Sequence, residues 1–145
     1  MKLQTASSVI SFAKSLEAES AKFYQDLSQR YAEAKDVFLS FAKENKKNIV
    51  QIERSYYGVI SDAIEACFAF DTNPAEYTFE TELAENASYS DALSRAVEIE
   101  EKIVKFYSDA AEQSKSLMAD VPRSFILVAK KRSNRISKLR SLIGK

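Results

Sequence analysis

Apolar residues recur at steps of three and four along most of the chain, the spacing of one face of an α-helix. Val9, Ala13, Leu16, Ser20, Phe23 and Leu27 form a first stripe. It predicts a helix over about 7–32, capped by Thr5, Ser7 or Ser8. Phe38, Ala42, Asn45, Ile49, Ile52, Tyr56, Val59 and Ala63 form a second, which predicts a helix from Ala34 to Cys67 with a bend near Gly58. So short a join makes these two helices antiparallel neighbours. The period is lost from Phe70 to Ser88, where Asp71, Thr72, Asn73 and Pro74 open an acidic connection with room for one short helical turn. Roughly 19 residues is long for a loop in a compact domain, and suits a crossover that travels the length of a bundle. Ala92, Ala96, Ile99, Ile103, Phe106 and Ala110 form a third stripe behind Ser88 or Ser90 as cap. Phe125, Ala129, Arg132, Ile136, Leu139 and Ile143 form a fourth, with Pro122 in its first turn and Gly144 at its end. The pattern predicts a single all-α domain, an antiparallel four-helix bundle. One hairpin covers about 7–68, the crossover about 69–88 and a second hairpin about 89–143.

Composition narrows the chemistry. Two Gly and two Pro leave little material for the turns of a β-sandwich or barrel. A single Cys rules out an intrachain disulfide framework and suits a reducing compartment. The absence of His removes the commonest metal ligand and excludes nucleophilic mechanisms of the Ser-His or Cys-His type. Met1 to Ser8 carry one charge and no apolar stretch, so no signal peptide is expected. No segment approaches the ~18 apolar residues of a membrane span, and a cytoplasmic protein is expected. Lys+Arg and Asp+Glu balance at 21 each, yet unevenly: eleven acidic residues and one basic residue lie between Asp62 and Glu101, whereas Val121 to Lys145 hold eight basic and no acidic residues. Such asymmetry fits either an anionic partner or an acidic element packed beside a basic one. The zero net charge and the acidic crossover argue against nucleic acid.

The two halves resemble each other. Ala13, Leu16, Glu17, Phe23, Tyr24 and Asp26 match Ala96, Ile99, Glu100, Phe106, Tyr107 and Asp109 at a constant offset of 83. Phe38, Leu39, Ala42, Lys43 and Ile49 match Phe125, Ile126, Ala129, Lys130 and Ile136 at an offset of 87. Two homologous hairpins about a pseudo-twofold axis are expected. Polar groups interrupt the stripes at matching depth: Glu17 and Glu100 on the first helix of each half, Asn45 and Asn48 on the second helix, Arg132 and Arg135 on the fourth. Two Glu and two Arg sum to zero, so a buried cluster of these six can balance its own charge. Tyr24 and Tyr107 either donate to the Glu of the opposite half or are core aromatics with hydroxyls satisfied elsewhere. Cys67 reads as a small buried apolar residue.

These residues resemble the rubrerythrin-like branch of the ferritin-like superfamily. The resemblance implies a metal-binding Glu seven residues before a Tyr on the first helix of each repeat, matched by Glu17 and Tyr24 and by Glu100 and Tyr107. It implies a Glu followed three residues later by a His on each second helix. This chain has Asn45 and Asn48 there in the first repeat and Arg132 and Arg135 in the second. It therefore keeps two of six di-iron ligands, and Arg cannot lose its proton to make room for a cation. The resemblance also implies a homodimer.

The expectation is a non-catalytic structural, interaction or regulatory module with no cofactor, its partner protein unspecified, whose Glu/Arg/Asn cluster stands in place of the metals. Three alternatives remain open. One is an oxidoreductase or iron-handling protein holding iron or another divalent metal in a carboxylate-only site of Glu17, Glu100, Glu44 and Glu53. Another is capture of a small anion by the Arg pair. The last is a basic fourth helix that binds an anionic partner.

Overall fold

In a computed structural model the described residues are 2–59, 70–115 and 120–144. They form α1 (Ala6–Arg30), α2 (Lys35–Val59), α3 (Tyr89–Ser114) and α4 (Asp120–Ile143). No strand is present among the described residues beyond one isolated bridge between Leu3 and Thr72. The expected end of the second helix at Cys67 lies outside the described residues, as does Cys67 itself. Among the described residues no helix is long and apolar enough to cross a membrane.

Local chemistry accounts for the element ends. Thr5 caps α1 through a capping box with Ser8, and Ser88 caps α3 through one with Asp91. α1 stops at Arg30, two residues before the periodicity suggests. Tyr31 turns to an extended conformation, keeps its N–H on the Leu27 carbonyl, and sends its hydroxyl to the Ala87 carbonyl at 2.7 Å. A 3-10 turn, Ala32–Ala34, then leads into α2. At the far end of the chain Gly144 follows the last helical residue, its N–H on the Arg140 carbonyl. Ile143, expected inside, is 40% exposed there. Of the other stripe members, those from Val9 to Tyr56 and from Ala92 to Leu139 are buried, save Ile49 and Ile136, which are partly so.

The connection from Phe70 to Ser88 is a strap that fixes the topology. It begins beside the start of α1, where Leu3 and Thr72 exchange backbone hydrogen bonds, and Thr72 donates to Gln113 near the end of α3. It finishes at Ala87, against Tyr31 at the end of α1. The start of α1 therefore lies by the end of α3, and the two helices run antiparallel. Between these points a 3-10 turn, Pro74–Tyr77, presents the Tyr77 hydroxyl to Asp109 at 2.6 Å. Further along, Lys102 and Arg95 of α3 and Arg30 of α1 donate to strap carbonyls. Phe79 and Leu83 of the strap pack on the core. α2 and α4 meet on the opposite side, where Ser124 donates to the Gln51 carbonyl.

The core is layered along the bundle axis. Phe106 is fully buried and meets Phe12, Tyr77, Tyr107 and Phe125 edge-on, with centroids 5.3, 5.4, 5.2 and 6.5 Å away. Toward the other end, Tyr24 packs against Phe23, Phe38 and Phe41. The polar residues of the four stripes lie between these two aromatic layers.

Candidate functional site

Glu17, Asn45, Glu100 and Arg132 are completely buried, with Ser20 and Asn48 beside them. Each occupies a position where the helical period demands an inward side chain, so backbone geometry delivers it to the axis. Arg132 is the hub. Its Nη1 donates to both oxygens of Glu100 at 2.8 Å. Its Nη2 donates to Glu17 Oε2 at 2.7 Å, Ser20 Oγ at 2.9 Å and Asn45 Oδ1 at 3.1 Å, and its Nε donates to Glu17 Oε2 at 3.1 Å. All three guanidinium nitrogens are thus engaged, and one side chain of α4 ties together α1, α2 and α3. Burial alone would lower its pKa, but Glu100 and Glu17 more than offset this and raise it. Arg132 is therefore locked in its charged form.

Arg135 sits at the edge. It donates to Glu44 Oε1 and to the Phe41 carbonyl, each bond from 2.9 to 3.0 Å, and reaches Glu100 only at 3.5 Å. Its guanidinium lies over the rings of Phe41 and Tyr24, 4.9 and 5.7 Å from their centroids. The two arginines are therefore unequal: one balances the buried glutamates, and the other mainly answers a half-exposed glutamate at the rim.

The tyrosines cross between the hairpins. Tyr24 donates to Glu100 at 2.6 Å and Tyr107 donates to Glu17 at 2.8 Å. Asn48 donates to the remaining oxygen of Glu17 at 3.0 Å, and its own Oδ1 is buried without a hydrogen-bond partner among the described residues. Ser20 is a member that the sequence reading places in the apolar stripe without a role. Its hydroxyl accepts from Asn45 and Arg132 and donates to the Glu17 carbonyl. A serine at a core position of a helix is the signal that marks it.

Both buried phenols are held well above the usual tyrosine pKa. Burial is the main cause, followed by Glu100 for Tyr24 and Glu17 for Tyr107; Arg135 and Arg132 act the other way. The unfolded chain releases these protons near pH 10 while the folded chain keeps them, so the stability they confer is complete below about pH 10. It falls above that by about 1.4 kcal/mol per pH unit for each tyrosine. In an alkaline titration, the phenolate absorbance contributed by Tyr24 and Tyr107, identified by Tyr24→Phe and Tyr107→Phe, should appear only together with loss of helical circular dichroism. Its appearance while the helices persist would contradict this geometry.

The donor set does not fit a pair of divalent ions. Arg132 bonds to both glutamates at once, and its protons cannot be exchanged for a metal. Nor do the four carboxylates of the carboxylate-only alternative come together. Glu44 is engaged by Arg135, and Glu53 pairs with Lys14 at 3.7 Å. Among the described residues no three His, Cys, Asp or Glu side chains gather in a group able to hold a metal. What the arrangement does chemically is neutralise charge inside the bundle, with no exposed acid, base or nucleophile at its centre among the described residues. No protein-family model, no curated protein and no solved structure matches the chain.

Proposed function

We propose that this protein is a ferritin-like bundle of the rubrerythrin-like kind in which a guanidinium has taken the place of the metals. It serves as a non-catalytic structural, interaction or regulatory module. The observation that carries the reading is the seating of Arg132 between Glu17 and Glu100, with no exposure to solvent on either side of the pair. The pairing of positions adds support. Asn48 and Arg135, which stand where each repeat of that family has its His, each reach the glutamate of their own hairpin. Tyr24 and Tyr107 each reach the glutamate of the other hairpin. Two repeats about a pseudo-twofold axis account for that symmetry, and the scarcity of cysteine suits the cytoplasm.

The test is the metal content of protein produced with supplementary iron, together with turnover of oxygen, peroxide and ferrous iron. The expected result is no stoichiometric metal and no turnover above a buffer control. A reproducible two irons per chain would overturn the reading.

A further inference from the structure

On the face opposite the strap, α2 and α4 border an open groove of about 790 Å³. Its α2 bank carries Lys46, Lys47 and Arg54, and its α4 bank carries Arg123 and Lys131. Between them Val50 and Leu127 line the groove with apolar side chains that are 49% and 43% exposed. Among the described residues no acidic side chain lines it. None of the five cations forms an ion pair among the described residues; Lys131 is held instead by Gln51 Oε1 at 3.0 Å. Elsewhere on the surface, Lys2, Lys105 and Arg140 each find a carboxylate.

The spacing is regular on both banks. Val50 has Lys46 and Lys47 one turn before it and Arg54 one turn after; Leu127 has Arg123 one turn before it and Lys131 one turn after. Each bank thus reads cation, apolar, cation over about 10–12 Å of helix. A free inorganic anion would leave the apolar centre uncovered. A ligand that matches both features has an apolar stripe with carboxylates a turn away on either side. That is an amphipathic helix with acidic flanks laid into a groove between two helices.

We propose that this groove docks an acidic amphipathic helix of a partner protein. The proposal gives the interaction role above a partner chemistry, but it rests on a separate face and is independent of whether the core holds metal. Apolar burial supplies the contact, and five cations without an ion pair among the described residues supply orientation and on-rate.

The probe is a fluorescent synthetic helix of about two heptads, with leucines on one face and glutamates flanking them. Full-length protein is titrated into it by anisotropy at low and high salt. Binding that weakens with salt is expected. Lys47→Glu combined with Arg123→Glu should weaken it at least about tenfold, as should scrambling the peptide at constant composition. Unchanged melting temperature confirms that the charge-reversed protein is folded; if it is not, Leu127→Ser, with the same expected loss, replaces it. The proposal is overturned by no binding at low salt, by equal binding of the scrambled peptide, or by indifference to the substitutions. Tighter binding of phosphatidylserine vesicles or single-stranded RNA than of the peptide overturns it as well.

Discussion

Arg132→Met should lower the unfolding free energy by about 3–5 kcal/mol or leave the chain unfolded, because it strands two buried carboxylates at once. Glu17 and Glu100 are fully buried, and Arg132 is the cation that reaches both within 3 Å. The loss would be read from chemical denaturation. The cost belongs to the stranded charges and not to missing volume, since methionine fills much of the same space. Glu17→Gln and Glu100→Gln added to Arg132→Met should therefore restore a large part of the stability, the amides still accepting from Tyr107 and Tyr24. Arg135→Met should cost less than half as much, because Glu44, its closest carboxylate, is half exposed and can turn to water. Equal losses from the two arginines would contradict the hub-and-rim arrangement.

Combining Asn45→Glu, Asn48→His, Arg132→Glu and Arg135→His should give a chain that binds two divalent ions, where the parent is expected to take up no stoichiometric metal. These substitutions install a Glu-x-x-His pair on each second helix, facing Glu17 and Glu100, the ligand pattern of ferritin-like di-iron proteins. Four glutamates would then face one another, so the metal-free variant should be strongly destabilised and regain its melting temperature on adding ferrous or cobaltous ion. Calorimetric titration would give the stoichiometry. Arg132→Glu alone should be destabilised at least as much as Arg132→Met yet neither bind two ions nor be rescued by them, since it lacks both imidazoles. A folded fourfold variant that ignores metal would sink the ancestry proposed for this core, and with it the correspondence between the two hairpins.

Much of the bundle could be read from spacing alone. Glu17, Asn45, Asn48, Glu100, Arg132 and Arg135 stand out because each is polar where the period of three and four calls for an inward side chain, and the structure brings all six to one place. Spacing says which face a residue is on, but not which neighbour it meets or how far along. The inequality of Arg132 and Arg135 depends on that missing information, as does the use of Ser20 as an acceptor. The exposure of Ile143 has the same origin: its stripe runs on past the end of the packed helices. Tyr31 leaves α1 for a hydroxyl bond to Ala87, a contact 56 residues away in sequence that no local pattern encodes. The basic groove was invisible for a related reason. Lys46, Lys47 and Arg54 on one helix and Arg123 and Lys131 on another become one surface only once α2 and α4 are known to adjoin.

The crossed hydrogen bonds also decide which half-molecules can assemble. Among the described residues the first hairpin contributes one buried carboxylate, Glu17, and no buried cation; the second contributes Glu100 and both guanidinium groups. A pair of first hairpins would confront two acids with nothing to neutralise them, and a pair of second hairpins would crowd four arginines around two glutamates. Despite their similar apolar stripes, like halves repel and unlike halves attract, so mispairing between chains during folding is penalised by the same residues that hold the finished bundle closed.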